Sequence, residues 1–224
     1  MDDSSETLLE QLKGTALCAS LPDHALRRMA AVVQAVEYAD GQVIMLQGEV
    51  NTPAFLIVKG IVRAFRTNLE GREQTITILR AGDSFNLPIV LLPNQVTPVS
   101  AAAVGPTRLL RIEADDLLHL LEQTPEIALA TLRDLAAKLV YLTNLVHDLS
   151  LRSVRGRLAR FLLAQAQSGT ASRWTQDEIA AQIGTVREVV SRTMRAFAQE
   201  KLIEFDRHQI VILNPQALRC EAEF

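Results

Sequence analysis

Cysteine is scarce in this sequence. The 224 residues contain only Cys18 and Cys220, which lie near opposite ends of the chain. Two cysteines so far apart in sequence provide neither a disulfide framework nor the CxxC spacing of a metal or redox site. Cys18 follows Ala16 and Leu17 in an apolar stretch, and this setting favours a small core residue over a metal ligand. We therefore expect no metal site.

A cluster of catalytic side chains is also missing. The histidines stand singly in different predicted elements, and no cysteine or carboxylate accompanies them at the spacing of a nucleophile or a metal ligand. The favoured interpretation is that His24, His119, His147 and His208 are ordinary surface or partly packed residues. The sequence therefore predicts a protein that is not an enzyme.

Long apolar runs are absent as well. No stretch reaches the roughly 20 apolar residues that a membrane-spanning helix requires. Residues 1–6 are acidic, whereas a secretory signal peptide begins with basic residues. We therefore expect a cytoplasmic protein without a membrane partner. With 48% hydrophobic residues the chain can bury one or two cores, which suits a sensor domain and a smaller second domain.

Positive charge is concentrated in the last third of the chain. Residues 1–150 contain 12 lysines and arginines against 18 acidic residues, a net charge of −6, whereas residues 151–224 contain 11 against 8, a net charge of +3. Neutralisation of DNA phosphates requires lysine and arginine. The C-terminal part is therefore the candidate for nucleic-acid binding.

The stretch from Trp174 to Arg195 has the pattern of two short helices joined by a tight turn. Thr175 and Glu178 have the spacing of a capping box at the start of the first helix. Gly184 can take the left-handed conformation that ends this helix. A second capping box, from Thr185 to Glu188, is predicted to begin the longer second helix. The predicted inward side chains of that helix are Val186, Val189, Val190, Thr193 and Phe197.

Two helices in this arrangement form a helix-turn-helix, whose second helix enters the DNA major groove and presents its N-terminal side chains to the bases. Arginine can donate two hydrogen bonds to guanine, and glutamate can accept one from cytosine. The alternative is that Glu188 only caps its helix and that the arginines form a solvated face. We favour DNA recognition. The predicted DNA contacts are Thr175, Thr185, Arg187, Glu188, Ser191, Arg192, Arg195 and Arg207.

The six residues from Arg187 to Arg192, REVVSR, resemble the recognition-helix motif of the Crp/Fnr family of transcription regulators, and the layout of nearly the whole chain is similar to that family. The resemblance implies that Arg187, Glu188 and Arg192 read bases, and Ser191 matches the serine of the Fnr-like branch. It also implies that double-stranded DNA and RNA polymerase are partners. The alternative from another functional class is an enzyme or a small-ligand-binding β-barrel protein without a DNA-binding role.

A long amphipathic helix is predicted from Pro125 to Leu149. Its apolar residues recur at alternating intervals of four and three, which is the pattern of a coiled coil. The helix could pack on the chain's own β-domain, but polar residues flank the apolar positions and favour a parallel homodimer. The predicted dimer interface consists of Leu132, Leu135, Leu139, Leu142, Val146 and Leu149.

The part of the chain before this helix changes from a helical to a β pattern. Residues 7–36 have helical spacing, and six short β-rich runs punctuated by glycines follow. Lys59-Gly60 and the segment from Asn68 to Gly71 are predicted hairpin turns. The spacing predicts an antiparallel barrel or sandwich, and its layout resembles the cyclic-nucleotide-binding β-roll of the Crp/Fnr family. The predicted strands are 43–46, 54–58, 61–66, 74–79, 99–104 and 107–112.

Together these elements predict an α+β protein. Its parts are an N-terminal antiparallel β-roll of the double-stranded β-helix or jelly-roll type (1–124), a dimerisation helix with a hinge (125–152), and a winged helix-turn-helix (153–224). The wing consists of two predicted strands, 202–205 and 209–213. Arg207 lies between these strands, where it can approach a DNA phosphate.

The expected effector differs from that of the best-known family member. Capture of cyclic AMP in that protein uses a Gly-Glu pair and an Arg-Ser pair, but residues 82–101 of this chain contain no lysine, arginine or glutamate. Leu87-Pro88 and Val99-Ser100 stand in the places of those pairs. Because a buried phosphate needs a cationic partner, we predict that cyclic AMP does not activate this protein.

The predicted effector pocket is mainly apolar and consists of Phe85, Leu87, Ile89, Val90, Leu91, Val99, Leu142 and Thr143. Leu142 and Thr143 stand in the places of the residues that contact adenine in the best-known family member. Such a pocket suits an apolar ligand, haem without an identified axial ligand, or a filled core with no ligand. The N-terminal cysteine cluster that holds an iron–sulfur centre in the Fnr-like branch is missing, because Cys18 stands alone. We therefore assign no cofactor.

Overall fold

A computed structural model describes residues 3–50, 52–68, 70–92, 94–168, 174–205 and 210–223. The chain divides into two compact units, Met1–Leu139, the first unit, and Val140–Phe224, the second unit. Each unit has a hydrophobic core of its own. No helix in the described part of the chain has both the length and the apolar character needed to cross a membrane.

In the residues that the structure describes, the first unit combines four short helices with six strands. Its elements are α1 (Asp3–Lys13), α2 (Asp23–Ala30), β1 (Gln34–Tyr38), β2 (Val43–Met45), β3 (Ala54–Thr67), β4 (Glu73–Arg80), β5 (Ser84–Phe85), α3 (Leu87–Leu91), β6 (Ser100–Ile112) and α4 (Ala114–Gln123). A long helix, α5 (Pro125–Leu151), begins in this unit and ends in the second. The predicted helical stretch 7–36 is wrong over residues 34–36, because these residues pair with β6 as strand β1.

The strands form one antiparallel sheet centred on the two long strands β3 and β6. Strands β1 and β2 pair with β6, and strands β4 and β5 pair with β3. Side chains alternate between the two faces of a strand, so both central strands contribute to two cores. Leu56 and Leu110 pack in the cluster that contains α1 and α2, whereas Phe55 and Leu109 pack in a second cluster on the other face.

Cys18 lies in the helical core of the first unit, which confirms the interpretation of its apolar setting. Its Sγ atom is 3.2 Å from the Sδ atom of Met29. Burial raises the pKa of the Cys18 thiol to about 11, although a hydrogen bond with Thr15 opposes the shift. The thiol therefore stays protonated near neutral pH and acts as a packing group.

The predicted hairpin turn at Lys59-Gly60 is wrong, because strand β3 continues through it. The segments on both sides of Gly60 pair with the same partner strand, β6, and the register shifts between them. Gly60 has φ +95°, and a Cβ atom there would lie 2.5 Å from Thr107 Oγ1, so only glycine fits. Strand β6 likewise continues through Gly105, and the predicted strands 99–104 and 107–112 are one strand.

The predicted turn between Asn68 and Gly71 is confirmed in its described residues 68, 70 and 71, and it joins β3 to β4. Asn68 Oδ1 accepts the backbone N–H of Arg72 at 2.9 Å, and Asn68 N donates to Arg72 O at 3.0 Å. A side-chain acceptor of this kind is the usual reason that asparagine favours turns.

The described part of the second unit contains the end of α5, four further helices and a two-stranded antiparallel sheet. The elements after α5 are α6 (Val154–Ser168), α7 (Gln176–Gln182), α8 (Arg187–Gln199), β7 (Ile203–Phe205), β8 (Ile210–Ile212) and α9 (Pro215–Glu223). Leu158, Val190 and Phe197 are fully buried at the centre of its core. The order of these elements confirms the predicted α+β fold with a C-terminal winged helix-turn-helix. Helix α9 was not predicted.

Candidate nucleic-acid interface

The start of α7 is held by a capping box, as predicted. Thr175 Oγ1 accepts the N–H of Glu178 at 3.2 Å, and the Glu178 carboxylate accepts the N–H of Thr175 at 2.7 Å. Each bond satisfies an amide donor that has no partner within the helix. The exposed Thr175 side chain, a predicted DNA contact, therefore has this capping role in the protein itself.

The turn between α7 and α8 depends on Gly184. Its backbone has φ +64°, as predicted, and the N–H of Thr185 donates to Ala180 O at 2.9 Å across the turn. A Cβ atom on Gly184 would lie 2.7 Å from Leu149 Cδ2, so the last turn of α5 packs directly against this glycine. The left-handed backbone conformation therefore disfavours any residue with a Cβ atom, and the Leu149 side chain would have to move to make room for one.

The predicted second capping box is wrong. Helix α8 begins at Arg187, its N-cap residue is Val186, and no side chain caps it. The start shifts by one residue because Thr185 still belongs to the turn, through its bond to Ala180. Val186 is consequently exposed instead of buried, and Met194, which was not predicted, takes an inward position.

The outer face of α8 collects the predicted base-reading side chains. Val190, Met194 and Phe197, at helical spacings of four and three, are buried and turn the opposite face outward. On that outer face Ser191 is half-buried and the other four residues are exposed. The residues brought together here are Arg187, Glu188, Ser191, Arg192 and Arg195.

Two contacts orient side chains on this face. Arg195 Nη2 donates to Ser191 Oγ at 2.9 Å, one helical turn away. Arg187 Nη1 lies 3.5 Å from Asp177 Oδ2 in the first turn of α7.

Thr185 is half-buried in the turn before the helix. The predicted contact Arg207 lies outside the described residues.

Arg157, which was not predicted as a functional residue, is buried behind the helix-turn-helix. Its Nε donates to Ile183 O at 2.8 Å, and its Nη1 donates to Arg152 O at 3.0 Å. Burial lowers the pKa of Arg157, and the charge of Asp148 opposes the shift. Its position in α6, three residues after Val154, places Arg157 on the inner face, which is the sequence signal that could have identified it.

Arg155 joins α6 to α8 and α9. Its Nη1 donates to Glu200 Oε1 at 2.9 Å, and its Nη2 donates to Glu221 Oε1 at 2.9 Å. The guanidinium carbon also lies 4.7 Å from the centre of the Phe197 ring. The hydrogen bonds that Arg155 donates to Glu221 and Glu200 raise the pKa of Arg155 further above its ordinary value. This cluster fixes the C-terminal end of α8, away from the predicted base-reading residues at its start.

The predicted dimer residues of α5 have different surroundings. Leu135 packs against the first unit's core, and Leu149 contacts the Gly184 turn. The remaining four form an apolar line with large exposed fractions, and this line is called the α5 stripe. The α5 stripe consists of Leu132 (62% exposed), Leu139 (65%), Leu142 (53%) and Val146 (62%).

The predicted effector-pocket residues are divided between several places. Leu87 and Val90, on α3, belong to the helical cluster of the first unit, whereas Phe85 belongs to the second cluster, stacked 4.8 Å from Phe55. Val99 packs against that second cluster. Ile89 and Leu91 are half-buried, and Leu142 and Thr143 are exposed residues of the second unit.

A buried polar network beside these residues was not predicted. Asn86 has φ 64° and precedes α3. Its Nδ2 donates to Thr52 Oγ1 at 2.7 Å and to Pro53 O at 2.9 Å, and Thr52 Oγ1 lies 2.9 Å from Thr97 Oγ1. The network ties the loops before β3 and β6 to the start of α3.

Comparison with known proteins gives matches over both units. Residues 35–124 match the cyclic nucleotide-binding domain, and residues 156–221 match the Crp-like helix-turn-helix domain. The chain is 33% identical to the cyclic AMP receptor protein of Thermus thermophilus over 195 residues, which cover 86% of this chain and 89% of that protein. It is 30% identical over 207 residues to a CRP-like cAMP-activated global transcriptional regulator of Mycobacterium tuberculosis, covering 88% and 92% of the two chains.

Among solved structures, the catabolite activator protein of Thermus thermophilus superposes with a TM-score of 0.54 at 29% sequence identity. The superposition covers 93% of this chain and 99% of that one.

Proposed function

Because this chain belongs to the Crp/Fnr family of transcription regulators, with a cyclic-nucleotide-binding-like domain and a Crp-like helix-turn-helix, we propose that it binds a pseudo-palindromic promoter site as a homodimer. The supporting observation is the exposed outer face of α8, where three arginines, one glutamate and one serine lie together. Arginine and glutamate at the start of such a helix match the hydrogen-bonding groups of G·C pairs.

Each residue of this face is assigned a contact with DNA. Arg187 and Arg192 donate to guanine, and Glu188 accepts from cytosine N4. Ser191 and Arg195, which already pair with each other at 2.9 Å, contact bases or phosphates as one group. Thr175 and Thr185, at the ends of α7, contact phosphates, because the first helix of the motif crosses the DNA backbone.

The α5 stripe supports the homodimer. Its four apolar side chains are more than half exposed in the single chain, and contiguous exposed apolar surface of this kind marks an interaction site. Burial of each such side chain contributes roughly 1.5–3 kcal/mol before the entropy cost of association. Pairing of two copies through this stripe would place their α8 helices about 34–36 Å apart, in successive major grooves.

The candidate effector-binding part of the chain is the domain that matches the cyclic nucleotide-binding domain, residues 35–124. A relative of this chain is a cyclic AMP receptor protein, but in this chain Leu87-Pro88 stands in the place of the Gly-Glu pair of the best-known family member, and Leu87 is buried in an apolar cluster. We propose that its effector is not cyclic AMP. An apolar ligand, haem and a filled core without a ligand are the three alternatives. We further propose that the protein acts in the cytoplasm and has RNA polymerase as a partner. We propose no enzymatic reaction.

The test begins with genomic fragments that the wild-type protein retains, whose sequences define its preferred site. Affinity is then measured for this site, for each single base-pair change and for random DNA. We expect Arg192→Ala to lose about 1–3 kcal/mol on the preferred site and to relax the preference at one G·C pair. Arg27→Ala, an exposed arginine on α2 of the first unit, is the matched control and should change nothing.

Two outcomes would contradict these assignments. Equal loss of affinity on specific and random DNA would mean that Arg192 contacts only phosphate. A wild-type protein that retains no preferred sequence would refute the proposed function.

A further inference from the structure

Asp177 faces a predicted base-reading residue across the turn of the helix-turn-helix. It lies in the first turn of α7, and its Oδ2 atom is 3.5 Å from Nη1 of Arg187, the first residue of α8. The side chains are 56% exposed for Asp177 and 62% exposed for Arg187. The pair therefore lies on the open surface from which α8 would approach DNA.

The fold does not require this ion pair. The start of α7 is already capped by Thr175 and Glu178, and the core beneath α8 consists of apolar side chains. Exposed ion pairs of this kind add little to stability, because water and salt screen them. The contact with Arg187 is therefore the feature of Asp177 that bears on DNA binding.

A carboxylate beside Arg187 limits its orientations without using up its donors. The guanidinium has five N–H groups, and a bidentate contact with guanine uses only two of them. Holding one amino group at Asp177 reduces the rotamer freedom that Arg187 would lose on binding. Arg195, by contrast, is oriented from within its own helix by Ser191.

The same carboxylate opposes contact with the DNA backbone. The first helix of a helix-turn-helix crosses the phosphates, and Asp177 lies in the first turn of that helix. A negative charge there repels phosphate, so it weakens binding that depends on charge alone. A base contact made by Arg187 has no such penalty, because guanine presents neutral acceptors.

We propose that Asp177 is a specificity-determining positioning residue, which holds Arg187 for a G·C pair and weakens binding to unrelated DNA. The inference rests on the proposed function, because it assumes that α8 reads bases. Asp177 lies on α7, outside the recognition helix α8, and it helps to determine which DNA sequence the protein prefers.

The experiment uses the full chain and the preferred site of the wild-type protein. Affinities of wild type, Asp177→Asn, Arg187→Ala and the double variant are measured on that site, on every single base-pair change and on random DNA. Glu122→Gln, which removes one negative charge from α4 of the first unit, is the matched control. Thermal unfolding of each variant verifies that the fold is intact.

We expect Asp177→Asn to bind random DNA more tightly and to lose roughly two- to fivefold of its preference at the pair that Arg187 reads, as suits the modest strength of an exposed ion pair. In the Arg187→Ala background, the same change should alter that preference no further. Asp177→Glu should retain most of the preference, because it keeps the charge. Glu122→Gln should behave as the wild type.

An unchanged base-pair preference in Asp177→Asn would overturn the inference while leaving the proposed function intact. So would a change in preference of equal size with and without Arg187, since Asp177 would then act independently of it. A wild-type protein without any preferred sequence would overturn the proposed function, and this inference with it.

Discussion

The arginines of the second unit differ in their surroundings, and the surroundings determine what each can do. Arg157 is buried and gives its hydrogens to two backbone carbonyls, whereas Arg155 lies between two glutamates. Arg187 and Arg192 are exposed on α8. Arg157 and Arg155 therefore hold the unit together through internal partners, whereas Arg187 and Arg192 present their side chains on the surface.

Arg157→Met should lower the free energy of unfolding by about 1–3 kcal/mol, because Ile183 O and Arg152 O would lose their donor in a buried place. Methionine keeps much of the aliphatic bulk, so the loss of hydrogen bonds dominates. Urea unfolding can be followed by the fluorescence of Trp174, the only tryptophan, which packs against this core.

Arg160→Met is the matched control for that experiment. Arg160 lies on the same helix and pairs with Asp148 at 2.9 Å, but its side chain is half exposed. We expect it to change the free energy of unfolding by less than about 1 kcal/mol. Equal destabilisation by the two substitutions would show that the buried hydrogen bonds of Arg157 contribute no more to stability than the exposed ion pair of Arg160.

The turn between α7 and α8 is constrained at Gly184 by its positive φ and by the contact with Leu149. Gly184→Ala should destabilise the second unit by about 1–3 kcal/mol, because alanine is strained at φ +64° and its Cβ atom would meet Leu149 Cδ2. The measurement is again urea unfolding monitored at Trp174.

The strain and the contact can be separated with a second substitution. Leu149→Ala removes the side chain that meets the new Cβ atom, so Gly184→Ala should cost less in that background than in the wild type. An equal cost in both backgrounds would leave only the backbone conformation as the cause.

The elements that the sequence predicted well are those with local causes. The capping box of Thr175 and Glu178 and the left-handed Gly184 depend on residues within a few positions, and both are confirmed. The start of α8 was misplaced by one residue, because the bond from Thr185 to Ala180 keeps Thr185 in the turn. That hydrogen bond depends on the geometry of the turn, so the spacing of residues in the sequence does not predict it.

The errors in the sheet have a different cause. Glycine is a turn signal in sequence, so Gly60 and Gly105 divided β3 and β6 into four predicted strands. Both residues lie inside continuous strands, because pairing with the same neighbour strand extends across them. The polar network of Asn86 could not be predicted from the sequence either, since Thr52 and Thr97 come from distant parts of the chain.

In the proposed homodimer, the long helix α5 would connect the pairing of two copies with the recognition of DNA. Within the second unit, the end of α5 contacts the helix-turn-helix through Leu149 at Gly184, and Tyr141 Oη donates to Gln182 Oε1 at 3.1 Å. In the proposed homodimer, the pairing of the two α5 helices would therefore determine the separation of the two α8 helices. The distance between half-sites follows from the same pairing.

Leu139→Asp should convert the proposed dimer to a monomer, because it places a charge in the middle of the α5 stripe, where desolvation would be costly. Light scattering measures the mass directly. Leu118→Asp is the matched control, since Leu118 is an exposed leucine on α4 outside the stripe; it should leave the dimer intact. An unchanged dimer for Leu139→Asp would refute pairing through this stripe.

We expect the β-domain not to bind cyclic AMP. A cyclic phosphate buried in the β-domain needs a cation, but residues 82–101 contain no lysine or arginine. The structure adds two further obstacles at this place. Leu87 is packed in an apolar cluster, and the Asn86 side chain already donates to Thr52 and Pro53. The free energy lost by burying an unpaired charge exceeds what the remaining contacts of a small ligand can supply.

Titration calorimetry with cyclic AMP should therefore show no binding tighter than about 1 mM, equivalent to roughly −4 kcal/mol. Cyclic GMP should give the same result, because it has the same cyclic phosphate. The cyclic AMP receptor protein of Thermus thermophilus, measured in the same buffer, serves as the positive control. Micromolar binding of either nucleotide would mean that cations from outside residues 82–101 reach the phosphate, and it would overturn the proposal that this regulator responds to another effector or to none.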